Sequence, residues 1–282
     1  MKRADSIVLA GQSNAVGYSK VNCLPKHFPA ERIQKWRDGY ENVKINYFSH
    51  YKRSNGFVPT TLGCTMLEDE TLGPEVGMAE ALNEKYPGRD FFIVKFAFGG
   101  VNLNHDFLSP SGEENGAPHT GGEVFSHDYS KGAPAQAGWC WNELVKILSE
   151  SIASLESEGY APAVRAFCWV QGESDAVYEE PTAKYLCHYD AFLHDLKARF
   201  AGYMDGCKFI DAGISIFWER YMRINEIKRS YAAGHADCAY IDTIDAGIVT
   251  TKEPYDAPDL GHYDSDCMIR FGHLFADAIG DI

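Results

Sequence analysis

The chain has 282 residues, 45% of them apolar, 13% aromatic and 23% charged, with a formal net charge of −14. This is enough apolar chain for one sizeable core. The acidic balance and the lack of any Lys/Arg-rich run exclude the electrostatic footprint of a nucleic-acid or anionic-membrane binder.

The first predicted element is a short β-branched strand, Ile7 to Ala10, that runs straight into Gly11-Gln12-Ser13-Asn14. The residues before it lack the apolar stretch and small-residue cleavage site of a secretory signal. A cytoplasmic protein is therefore expected, or a secreted one whose leader has been trimmed. Val43 to Phe48 alternates as a second strand. Gly73-Pro74 is a start signal for a helix over Glu75 to Tyr86. Phe91 to Lys95 is a third strand, ending before Gly99-Gly100.

Residues 108–134, rich in Gly, Ser, Pro, His and Glu, show no periodicity, and loops of this length are functional or disordered. Beyond Trp141, the residues Leu144, Val145, Leu148, Ile152 and Leu155 form a helical stripe. Val164 to Val170 is a fourth strand, which ends abruptly in Gln171-Gly172-Glu173-Ser174-Asp175. Tyr185, Tyr189, Phe192, Leu196 and Phe200 form a second stripe, and Lys208 to Ile216 and Ala239 to Ile244 are the last strands. Asp259 to His262 precede a final helix marked by Met268, Phe271, Phe275 and Ile279.

No window approaches 18 continuous apolar residues, so no membrane span is expected. The eight cysteines are scattered, with no Cys-x-x-Cys, and read as reduced core thiols of an intracellular protein. With no repeat or linker, residues 1–282 are expected to form a single domain.

Strands alternating with long amphipathic helices imply a three-layer α/β/α sandwich with a mainly parallel central sheet. In such open sheets the ligand site lies beyond the carboxyl ends of the strands. Four polar loops are expected there: after the first, third and fourth strands, and before the last helix. Ser13 at a strand-to-helix turn would present both its hydroxyl and its own N–H to that rim; a plain turn or helix cap is the other reading. Asp259 and His262, three apart, suit a carboxylate against imidazole Nδ1 with Nε2 left for a serine, or a loop histidine beside a capping aspartate. Gln171 offers an amide donor and Glu173 a carboxylate for a histidine or for substrate hydroxyls, or both belong to a polar turn. Gly99 and Gly100 allow a backbone N–H to approach a ligand closely, or form a tight turn.

In this order, "GQSN", "FGG", "WVQGESD" and "DLGH" resemble the successive blocks of the SGNH hydrolase superfamily. The resemblance is closest to the sialate O-acetylesterase / acetyl xylan esterase-like group of carbohydrate esterases. "GPEVGMAEAL", residues 73 to 82, resembles the Gly-Pro-Glu helix start of that group, and the likeness runs from Ser6 to about Ile279.

The resemblance implies a flavodoxin-like α/β fold. It also implies Ser13 as nucleophile, His262 as general base and acid, and Asp259 as its orienting carboxylate, with Glu173 as the rival for that last part. The oxyanion hole would be the N–H groups of Ser13 and Gly100 with the side-chain amide of Gln171. Gln12, Asn14 and Glu173 would contact substrate or support the site from behind. Val101-Asn102-Leu103 departs from the small Ser/Thr that often follows the Gly-Gly, which puts substrate contacts near residue 101 in doubt.

The implied reaction removes O-acetyl groups from a carbohydrate, either acetylated xylan or its oligosaccharides or a sialate-type sugar, without metal or organic cofactor. The expected partner is the acetylated carbohydrate, with no nucleic acid and no membrane; a homo-oligomer is left open. The alternatives are a non-catalytic carbohydrate-binding protein on the same fold and a general short-chain carboxylesterase. A lipase-type elbow fits poorly, because the fifth position of its Gly-x-Ser-x-Gly is Ala15. A metal hydrolase would have to use His105, His119 and His127, whose spacing matches no compact ligand motif.

Overall fold

The computed structural model describes residues 2–66, 70–115 and 136–281. In chain order the strands are β1 (Lys2–Gly11), β2 (Ser19–Lys20), β3 (Tyr40–Ser49), β4 (Lys52–Arg53), β5 (Val58–Thr60), β6 (Thr71–Leu72), β7 (Phe91–Ala97), β8 (Tyr160–Val170), β9 (Lys208–Ala212) and β10 (Cys238–Ile241). The helices are α1 (Ser13–Val16), α2 (Ala30–Asp38), α3 (Pro74–Lys85), α4 (Pro110–Asn115), α5 (Trp139–Ser157), α6 (Glu179–Arg199), α7 (Tyr221–Gly234) and α8 (Ser265–Ile279).

The strands β10-β9-β8-β1-β7-β3 lie side by side and parallel. Antiparallel β4 and β5 pair with β3, and β2 pairs with β6 in a separate two-stranded ribbon. Along β1 the side chains alternate between two cores. Ile7 and Leu9 join Trp36, Met78 and Phe271 from α2, α3 and α8. Val8 and Ala10 join Leu144, Phe192 and Ile224 from α5, α6 and α7. Both faces of the sheet are therefore covered, which is why its central strands read as apolar runs rather than alternating ones. The expected mainly parallel sandwich is the architecture found.

Helices α3 and α8 pack at backbone contact. A Cβ on Gly77 would lie 1.9 Å from the Ile269 carbonyl oxygen, and one on Gly272 would lie 2.1 Å from that of Pro74. This close fit brings the helix that follows His262 against the one that opens with Gly73-Pro74.

The structure shortens three expected elements. β9 stops at Ala212, because the Asn225 side chain bonds both Ile214 N and Ile214 O and bends the chain out of the sheet. Ile216 consequently stands 60% exposed. β10 stops at Ile241, where Asp242 Oδ1 takes the N–H groups of Ile244 and Asp245 and makes a turn. In the expected loop 108–134, residues 110–115 form helix α4, held to α6 through Ser111 and Asp195; residues 116–134 of that loop lie outside the described residues. No helix among the described residues is long and apolar enough to cross a membrane.

Candidate active site

The register of the sheet sets the site. Gly11 at the end of β1 pairs with Ala97 of β7 on one side and Val170 of β8 on the other. The three loops that follow therefore leave the sheet side by side, next to the point where the chain switches from building one half of the sheet to the other. Gly11 has φ of 152°, and a Cβ there would lie 1.9 Å from the Val170 carbonyl oxygen. Only glycine fits so close an approach. Gln12 N then bonds Val170 O at 2.8 Å, and Gln12 O accepts from Ala15 N and Val16 N, which starts α1. Ser13 is the first residue of that helix, so its N–H has no intrahelical acceptor. Its side chain sits just beneath the surface, 7% exposed.

The loop before α8 brings the histidine. His262 Nδ1 lies 2.6 Å from Asp259 Oδ2, the ring's one hydrogen bond among the described residues, so its Nε2 is not bonded to Ser13 Oγ. Burial pushes the Asp259 pKa up, but the hydrogen bond and charge of His262, with the Gly261 N–H, outweigh it and hold the carboxyl below its usual range. Tyr18 stacks on the His262 ring at 4.4 Å and 11°, which supports its tilt.

Asn14 fastens the two loops together. Its Nδ2 donates to Gly261 O at 3.3 Å and to Glu173 Oε1 at 2.8 Å, and its Oδ1 accepts from Tyr263 N at 3.2 Å. The residue after Ser13 thus grips the backbone on both sides of His262. Asn14 is fully buried, and through these bonds it braces the two loops. Gln12 is a brace as well: its Oε1 accepts from Ser174 N at 3.2 Å and Gln171 Nε2 at 3.3 Å. Glu173 contacts Asn14 and makes no hydrogen bond to His262; its Oε2 is buried without a partner among the described residues.

Among the oxyanion-hole candidates, Gly100 is exposed with φ of 74°, and its N–H has no partner among the described residues. Gly99 N instead donates to His50 Nδ1 at 3.3 Å. Gln171 departs from expectation. Its side chain is fully buried, and its amide nitrogen is turned inward to Asp175 Oδ2, Gln12 Oε1 and Val101 O. The physical reason is Asp175, a buried carboxylate that needs donors and also takes the Leu103 N–H at 3.0 Å. Burial pushes the Asp175 pKa up to about 7, against the Gln171 and Leu103 hydrogen bonds.

Two buried lysines hold the strand ends from below. Lys95 Nζ, on β7, bonds Val16 O at 2.9 Å, Cys64 O at 3.1 Å and Glu75 Oε2 at 2.8 Å, and both charged side chains are 0% exposed. It therefore sits at the carbonyl end of the short helix that carries Ser13. Lys228 does the same on the other side, bonding Gln171 O, Ala212 O and Asp211. Tyr18, His50 and Lys228 escaped the sequence reading. Lys95 had a signal: a lone charge inside Phe91-Phe-Ile-Val-Lys-Phe-Ala must be paired if the strand is buried.

Among the described residues one group has metal-ligand chemistry, His27, Glu253 and Asp266, with ligand atoms within 4.8 Å of one another. Glu253 already caps α8 through Ser265 N and Ser265 Oγ, so the group reads as a helix cap. His105 lies against Asp106, while His119 and His127 lie outside the described residues. Cavities of about 410 Å³ beside Arg37, Tyr47 and Cys64, and of about 350 Å³ between His27, Arg270 and His273, take in none of the rim residues.

The fold is similar to that of NanS, at 17% identity over 99% of this chain and 97% of that one, with a TM-score of 0.68. It is also similar to a protein from Arabidopsis thaliana, at 14% identity over 99% and 98% of the two chains, with a TM-score of 0.63. At such identities the likeness concerns the fold. No curated protein matches the sequence. The family described as "Carbohydrate esterase, sialic acid-specific acetylesterase" matches residues 3–281. With that match over nearly its whole length, the chain belongs to this family of carbohydrate esterases, carboxylic ester hydrolases that act on O-acetylated sugars.

Proposed function

We propose that the chain acts as one catalytic unit that removes acetyl groups from a sugar by serine catalysis with Ser13, His262 and Asp259. The observation that carries this reading is the grip of Asn14 on Gly261 O and Tyr263 N, which docks the histidine loop onto the residue after the serine. Ser13 Oγ attacks the acetyl carbonyl while His262 Nε2 takes its proton. Asp259, at 2.6 Å, holds Nδ1–H and stabilises the imidazolium that forms. The Ser13 and Gly100 N–H groups receive the oxyanion, each such donor being worth on the order of 10²–10³ in rate. His262 then returns the proton to the departing sugar hydroxyl, and water hydrolyses the acetyl-enzyme through the same base.

Gln171 takes a supporting part in this scheme, because its amide is committed to Asp175 and Gln12. Glu173 supports the histidine loop through Asn14. The glycines and amides around Ser13 leave little apolar lining for a long acyl chain, which favours acetate. The sugar is a xylan-type or sialate-type acetate.

The test is hydrolysis of 4-nitrophenyl acetate and butyrate, with chelator present, by the wild type and by Ser13→Ala. Acetate is turned over faster than butyrate, and Ser13→Ala loses on the order of 10⁴–10⁶ in kcat. Residual activity of Ser13→Ala near the wild-type level overturns the assignment.

A further inference from the structure

Ser49 of β3 pairs with Lys52 of β4, which leaves His50 and Tyr51 as a two-residue hairpin loop. Both have positive φ, 44° and 73°. Turns of this shape favour Asn-Gly or Gly-Gly, because the left-handed backbone crowds a Cβ against the following carbonyl. Two aromatic side chains persist in it only where the surroundings hold them, and such strain clusters at functional sites.

The surroundings here belong to the rim. The His50 ring packs on Phe98 at 4.4 Å, and His50 Nδ1 receives the Gly99 N–H. Tyr51 stands edge-on to Phe98 at 4.9 Å and lies 6.5 Å from Trp139, which itself meets Phe98 edge-on at 5.3 Å. A Cβ on Gly99 would lie 2.9 Å from the Tyr18 hydroxyl and 3.4 Å from His50 Nδ1, and Tyr18 stacks on His262. His50, Gly99, Tyr18 and His262 thus form an unbroken line along the rim, with Tyr51 at its outer end. Yet Tyr51 is 55% exposed, so the turn spends backbone strain on a ring that faces outward.

We propose that Tyr51, backed by Trp139 and Phe98, is a sugar-stacking subsite. The apolar C–H face of a pyranose ring lies on this aromatic shelf while the acetyl ester reaches Ser13. An aromatic face offers area at little conformational cost and orients a ring without needing charge. The inference rests on the esterase reading above and adds to it a binding subsite for the carbohydrate part of the substrate.

The experiment compares the wild type, Tyr51→Asn and Tyr51→Phe on vinyl acetate, which has no ring to stack, and on an acetylated xylo-oligosaccharide and an O-acetylated sialic acid. Asparagine tolerates the left-handed backbone, so Tyr51→Asn keeps the turn and removes the ring. On the sugar ester that the wild type hydrolyses, Tyr51→Asn loses on the order of tenfold in kcat/KM, mainly through KM. Tyr51→Phe stays within about twofold, both variants hydrolyse vinyl acetate within about twofold of wild type, and the melting temperature of Tyr51→Asn does not fall.

An equal loss on vinyl acetate and the sugar ester overturns the proposal, since the turn would then act only by supporting the Gly99–Gly100 loop. An unchanged KM for the sugar ester overturns it too, as does a wild type that hydrolyses vinyl acetate but neither sugar ester. A wild type inactive on all three esters sinks the esterase reading instead. Calorimetric titration with the deacetylated oligosaccharide then decides the shelf: binding lost in Tyr51→Asn supports it, and no binding to the wild type removes it.

Discussion

Replacing Lys95 by methionine tests whether the buried ion pair beneath Ser13 holds the site. Methionine matches the stem in volume but leaves Glu75 without its cation in a place where both side chains are 0% exposed. Burial already pushes the Glu75 pKa up, and Lys95 is the main opposing influence. Without the lysine that upward push is unopposed, and full protonation of the carboxyl sets the upper limit of the cost. Protonating a carboxyl of ordinary pKa 4.5 at pH 7.5 costs about 4 kcal/mol.

Val16 O and Cys64 O also lose the ammonium they accept from, which adds roughly 1–2 kcal/mol. The total, on the order of 5 kcal/mol at pH 7.5, agrees with the usual cost of breaking a buried pair. At pH 5 the protonation cost shrinks to about 1 kcal/mol, so the loss falls to roughly 2–3 kcal/mol. The sign follows from the raised folded-state pKa of Glu75: the protonated group stabilises at low pH, and that contribution is lost as pH rises. Urea unfolding of wild type and Lys95→Met at pH 5 and 7.5 measures both numbers. Lys95→Met/Glu75→Gln regains much of the loss at pH 7.5. A loss under about 1 kcal/mol, or one equal at both pH values, would refute the reasoning.

Two further predictions concern the carboxylates. Asp259→Asn lowers kcat on the order of 10⁴, because the histidine loses the anion at Nδ1, whereas Glu173→Gln, which keeps an oxygen for Asn14, costs less than about tenfold. Steady-state kinetics on one acetate ester ranks the two, and the reverse order would transfer the orienting role to Glu173. Asp175, pushed up to about 7 by burial, stabilises the fold when protonated, and that contribution is lost as pH rises from about 4 to 7. Moving a carboxyl from 3.8 to about 7 is worth about 4 kcal/mol, so wild-type stability should decline over that window, and Asp175→Asn should flatten the decline. Equal pH slopes for wild type and variant in chemical unfolding would show that Asp175 titrates as an ordinary carboxyl.

Local chemistry along the chain sufficed for the elements and for the parts of the site that neighbours build. The apolar strand before Gly11, the Gly-Pro helix start and the helical stripes all depend on periods of a few residues; the helices form where they were read, and the strand forms there too but begins earlier, at Lys2. The Asp259–His262 contact spans three residues, so a single turn closes it.

The tertiary structure decided everything that joins distant loops. Asn14 meets Glu173 across 159 positions, and Lys95 meets Val16 across 79, because the parallel register sets Gly11 level with both Ala97 and Val170. Helix α7 was hidden for a related reason: its inner face, Ile224, Lys228 and Tyr231, includes a lysine that counts as surface until Asp211 and two carbonyls are found around it. The direction of the Gln171 amide was equally out of reach. A side chain at the end of a strand can turn to the rim or to the core, and the buried Asp175 carboxylate, four residues on, draws it inward. A sequence carries which residues can donate, accept or stack; which of them face one another is set by the packing of the sheet, where the cost of leaving a buried polar group unpaired selects the partners.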